Sequence, residues 1–141
     1  MAVDLRHECT HALLHGAADT PPLWLDEGIA EYFEMPEAER PSGHPHLAAL
    51  RWHLRLGVHR SLKSLESVTD LANMGSIEYR FAWAWVHFML HGPRAAHRSL
   101  VEYLASLRGV GKPFELSRRL HAAAPNLDEC MVRHFTNWKR A

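Results

Sequence analysis

The sequence predicts a mainly α protein in one domain, residues 1–141. Three observations carry that expectation. Apolar residues recur at helical spacings of three and four along most of the chain. Few segments alternate with the period of two that a half-buried strand needs. Proline and glycine mostly punctuate the periodic stretches, at Gly16, Pro21-Pro22, Pro36, Gly92-Pro93 and Gly109.

In chain order, the first helix opens near Asp4, a candidate N-cap, and Gly16 is a candidate left-handed residue just past its end. Leu5, Cys9, Ala12 and Leu13 form its apolar spacing, and Cys9 reads as a small core residue. Residues 16–22, GAADTPP, make a short connection in which Thr20 can cap the next helix. That second helix spans 22–35 and stops at Pro36. Two helices joined this tightly pack antiparallel. Residues 36–46 form a polar loop, in which His44 and His46 are expected to be solvated and not to form a second metal site.

A helix over 47–56 points Leu47, Leu50 and Leu54 inward, and 57–75 form a connector with one short helical turn. His53 and His59 have no partner that sequence identifies. Residues 76–91, SIEYRFAWAWVHFMLH, are apolar almost all round, which predicts a central, buried helix with His87 as a hydrogen-bonded core histidine. Helices over 94–108, 114–122 and 126–138 complete the chain, the last with a capping-box-like start at Asn126-Leu127-Asp128-Glu129. His97, His121 and His134 read as surface or rim residues.

Composition excludes several classes. Hydrophobic residues make up 47%, a globular and not a disordered proportion. Sixteen basic side chains balance sixteen acidic ones, which argues against nucleic acid or a membrane surface as partner. No stretch approaches transmembrane length and no signal peptide precedes the first helix, leaving the cytoplasm as the default compartment. Cys9 and Cys130 alone do not imply a disulfide framework.

The chemistry lies in the first two helices. His7-Glu8-Cys9-Thr10-His11 reads HExxH. Residues four apart share a helix face, so His7 and His11 can aim at one Zn2+ ion. Glu8 lies about 100° round the helix, a poor place for a ligand and a good one for a general base. A catalytic zinc takes three protein ligands. His15 lies roughly 12 Å along the axis from His7, too far to converge. Leu14 and Ala17 replace the glycine and histidine that a metzincin continuation needs. Glu27 fits as the third ligand, with Gly28 clearing space where the helices meet. Glu31, one turn on, is placed to hold the outer N–H of a ligating histidine.

HExxH followed by Trp24-Leu25-Asp26-Glu27-Gly28-Ile29-Ala30-Glu31 resembles the gluzincin zinc peptidases of the peptidase MA type over about residues 4–35. The resemblance implies a zincin-like helical subdomain with His7, His11 and Glu27 on zinc, Glu8 as base, and a peptide or protein substrate. It also implies a tyrosine at the start of a later helix that donates to the oxyanion. Tyr79 matches that loosely, and packing against Trp83 is its structural alternative. The segment by which aminopeptidases of this type recognise a substrate amine is missing, so the likeness does not extend to aminopeptidase specificity.

Such peptidases carry a β-sheet subdomain upstream, whereas six residues precede His7 here. The expectation is a fragment of a longer protein or a reduced domain. On either, the chain alone cleaves proteins weakly, and a partner chain or second copy covers its N-terminal flank. The alternative expectation is a metal-stabilised helical interaction module with an idle hydrolase site, and after it a helical scaffold without metal.

Overall fold

One helix sets the architecture. Residues 81–89 are all buried within α5 (Ser76–His91). A helix apolar on every side has to be covered on every side, and the other helices do this. In the computed structural model, which describes residues 1–139, the chain is mainly helical with no strand among the described residues. Its other helices are α1 (Ala2–Ala17), α2 (Leu23–Phe33), α3 (His46–Arg55), α4 (Leu62–Glu66), α6 (Arg94–Ser106), α7 (Leu116–Ala123) and α8 (Leu127–Asn137).

Against α5, α2 lays Trp24, Leu25, Ile29 and Tyr32, α3 adds Leu47 and Leu50, and α4 adds Leu62 and Leu65. On another side, α6 contributes Ala96, Leu100 and Tyr103 and itself carries α7. Met131 and Phe135 of α8 close the remaining face. Helices α2 and α5 come close together at Gly28, where a Cβ would lie 2.6 Å from the carbonyl oxygen of Ala82. The glycine therefore serves the α2–α5 contact, and not the α1–α2 contact that its place beside Glu27 suggested.

The helix ends depart from the expected start and stop signals. α1 begins with Met1 as N-cap, and Asp4 sits in the first turn, 2.9 Å from the terminal ammonium. Gly16 is an ordinary helical residue, and an extended Ala18 ends the helix. Thr20 does not cap α2. Pro22 holds that position, and Thr20 turns the chain with φ of +38°. Asn126 makes no side-chain cap for α8, and Asp128 is taken instead by His59 at 2.7 Å.

The largest correction concerns α1, which has no buried residue. Leu5 and Leu13 are 65% and 75% exposed, and Cys9 is exposed, not a core residue. The helix presents its histidine face to α2, because His7 and His11 find carboxylates there. Two bonds tie its end to the chain just past α6: Arg108 donates to the Ala17 carbonyl at 2.7 Å, and Asp19 N–H to the Leu107 carbonyl at 3.2 Å.

Candidate metal centre

The α1–α2 pair is antiparallel. His7 lies beside Glu34, and His11 lies beside Asp26. Glu27, between those two carboxylates in sequence, faces both rings. Its Oε2 is 3.6 Å from His7 Nε2 and its Oε1 is 3.7 Å from His11 Nε2. The three side chains are 12–19% exposed, so the site is covered but reachable.

The outer ring nitrogens are engaged elsewhere. His7 Nδ1 lies 3.0 Å from Glu34 Oε2, and His11 Nδ1 lies 2.7 Å from Asp26 Oδ1. Each imidazole donates Nδ1–H to a carboxylate, which leaves the Nε2 lone pair facing Glu27. Separations of 3.6 and 3.7 Å are too long for hydrogen bonds. They do suit donors that share an ion. Two ligands about 2.0–2.1 Å from one zinc at the tetrahedral angle stand about 3.4 Å apart. Burial pushes the Glu27 carboxyl up, against the pull of His11 and His7. A cation between the rings and the carboxylate would reverse that balance.

No family model, curated protein or solved structure matches the chain.

The chemistry of the site therefore rests on its own atoms. His7, His11 and Glu27 come together as the sequence suggested, and their donor set of two imidazoles and one carboxylate suits Zn2+. Glu31 does not hold a ring N–H of His7 or His11. It accepts from His46 Nε2 at 3.0 Å. Burial alone would raise the Glu31 carboxyl, but that bond and the charges of His46, His44 and His7 take it below the ordinary range. The positions assigned to Glu31 belong to Glu34 and Asp26. His15 stays off the convergence point and bonds Asp26 Oδ2 at 2.7 Å, so Asp26 is held from both sides.

Glu8 is exposed, and on the helical wheel it falls about 60° beyond His11, on the flank shared with His15. Tyr79 is half-buried against the core, and burial with the charges of Glu27 and Glu31 raises its phenol, keeping it a donor. Among the described residues Trp83 pairs with His44, His46, His87 and Phe135, and not with Tyr79. An apolar groove lined by Arg6, Cys9, Leu13, Ile29 and Phe33 lies on the flank of α1 away from Glu8, so it does not open onto the ligand face.

His44 and His46 are not solvated. His44 is 5% exposed, His46 is half-buried, and their rings stack with centroids 4.5 Å apart. Burial and the neighbouring His46 take His44 down to about 4. Two positions that the sequence reading passed over carried a readable signal: Asp26 abuts Glu27, and Glu34 shares one helix face with Glu27 and Glu31 at i+7 and i+3. Nothing in the sequence marked His44, because only the path of the loop brings it to α2.

Proposed function

We propose that the chain is a zinc-dependent hydrolase of peptide bonds, with a zincin-like helical site in which His7, His11 and Glu27 hold the metal. One observation carries this reading: two imidazole Nε2 atoms converge on both oxygens of Glu27 at non-bonding distance, while both Nδ1 atoms are tied to carboxylates. Zinc would supply a polarised carbonyl and a bound water of pKa near 7. The residues supply the rest. Glu34 and Asp26 fix the two ring orientations. Glu8 takes the proton of the attacking water and passes it to the leaving amine. The Tyr79 phenol donates to the oxyanion of the substrate. The substrate is a peptide or protein segment, and a partner chain or second copy covers the open outer face of α1.

Glu8→Gln and Glu27→Ala test the reading together. Metal content by elemental analysis of untagged protein should be one zinc per native chain, unchanged in Glu8→Gln, with peptide turnover reduced at least about a hundredfold in that variant. Glu27→Ala should lose the ion. Stoichiometric zinc in purified Glu27→Ala protein would remove Glu27 from the ligand set. The exposed apolar face of α1 favours a second reading, an interaction module that uses the metal only for stability. On that reading a chelator lowers the melting temperature, but native and Glu8→Gln proteins show the same absence of turnover.

A further inference from the structure

We propose that His44 is a positioning residue of the metal centre, acting through Glu34 on the ring of His7. The inference rests on the metal reading above and adds a layer to it. The backbone N–H of His46 donates to His44 Nδ1 at 3.0 Å. An imidazole nitrogen that accepts a hydrogen bond leaves the ring proton on the other nitrogen. His44 therefore donates from Nε2 to Glu34 Oε1, 3.2 Å away. The other oxygen of the same carboxylate, Oε2, accepts from His7 Nδ1 at 3.0 Å. Both oxygens of Glu34 are held from different elements, so the carboxylate cannot turn away from His7.

His44 is fixed in its turn. Its ring packs against both His46, with centroids 4.5 Å apart, and Trp83, with centroids 5.0 Å apart. Helix α5 thus supports a ligand on α1 through one loop residue and one α2 carboxylate.

The same neighbourhood suggests a competing idea. Glu31, His44 and His46 bring three donor atoms within 4.8 Å of one another, as a second metal site would. The tautomer opposes it, since a protonated Nε2 has no lone pair to give an ion. His46 Nε2 to Glu31 at 3.0 Å and His44 Nε2 to Glu34 at 3.2 Å are also hydrogen-bond lengths.

Zinc titration against a competing chromophoric chelator tests the proposal on three variants. His44→Phe keeps the ring packing and removes the donor, His44→Gln keeps a donor, and Glu34→Ala removes the carboxylate. The native chain should bind one zinc. His44→Phe should bind it about tenfold more weakly with unchanged stoichiometry. His44→Gln should recover most of that loss, and His44→Phe should add nothing in the Glu34→Ala background. Native affinity in folded His44→Phe protein would overturn the proposal, as would a full additional loss on top of Glu34→Ala. Two zinc ions in the native chain and one in His44→Phe would replace it with the second metal site. A native chain that binds no zinc would end the underlying metal reading as well.

Discussion

At the scale of single residues, the proposed site depends on side chains outside the ligand set of His7, His11 and Glu27. A histidine ligates well only when its other nitrogen is held, because a freely turning ring loses both aim and basicity. Asp26 does this for His11, and Glu34 does it for His7. Asp26→Asn keeps the shape but gives the His11 Nδ1–H a weaker acceptor. It should weaken zinc binding about ten- to a hundredfold while leaving the metal-free melting temperature within a few degrees. Isothermal titration of the variant checks this, and native affinity would mean that Asp26 only fills space. The convergence of His7, His11 and Glu27 was legible because a shared ion would force a spacing: two imidazoles one turn apart, and a carboxylate on the next helix. The supporting residues were legible only in part. An acid beside Glu27 could serve either helix, and choosing among Asp26, Glu31 and Glu34 requires the rotation of α2 about its own axis. That rotation is constrained at Gly28, packed against Ala82 on the far side of α2 from α1.

At the scale of elements, α1 and α5 are opposites. The all-round apolar pattern of residues 76–91 left one placement open, and the helix lies between those same residues. The weak apolar stripe of α1 suggested an inward face. The structure turns that stripe outward, because three hydrogen bonds from His7, His11 and His15 to Glu34 and Asp26 compete successfully with a few exposed methyl groups. A helix with no buried residue is held weakly, so α1 should be the least protected of the long helices when metal-free. An ion gripped by His7, His11 and Glu27 would bind α1 to α2 and stabilise their docking by mass action. Amide exchange over residues 2–17 should therefore slow at least about tenfold on adding zinc, while the amides of α5 change little. Equal slowing everywhere, or none, would count against an ion shared by the two helices. Gly28→Ala tests the other side of α2. Its methyl group cannot fit 2.6 Å from the Ala82 carbonyl oxygen without parting α2 from α5. A loss of about 1–3 kcal/mol on urea unfolding is expected, together with weaker zinc binding as Glu27 shifts.

At the scale of the whole molecule, histidines join helices that hydrophobic contact alone would leave free to slide. His87, fully buried, donates from Nε2 to the Pro41 carbonyl at 2.9 Å and accepts at Nδ1 from His134 Nε2 at 3.0 Å. His91 meets the Tyr32 hydroxyl at 2.6 Å. These bonds link α5 to α8, to the loop that carries His44, and to α2. The bond between His87 and His134 requires a neutral His87 ring, because a proton added to His87 Nδ1 would face the N–H of His134. Burial accordingly pushes His87 down to about 3 and His134 down to about 4, and it lowers His91 as well. The sign of the consequence follows from linkage. Between the unfolded value near 6.5 and these lower folded values, the unfolded chain binds protons that the folded chain does not. Stability is full above about 6.5 and falls as the pH falls toward 4, by about 1.4 kcal/mol per pH unit for each such histidine. Glu27 and Glu34, whose carboxyls burial pushes up, work in the opposite sense and offset part of the fall that the histidines cause between pH 6.5 and about 5. Urea unfolding of the metal-free chain should give a midpoint that drops steadily across that window. His134→Gln, which keeps a donor for His87 but takes up no proton, should make the drop shallower by about one proton. A midpoint that stays level from pH 7 to pH 5 would mean that these rings can be protonated without breaking the contacts they make.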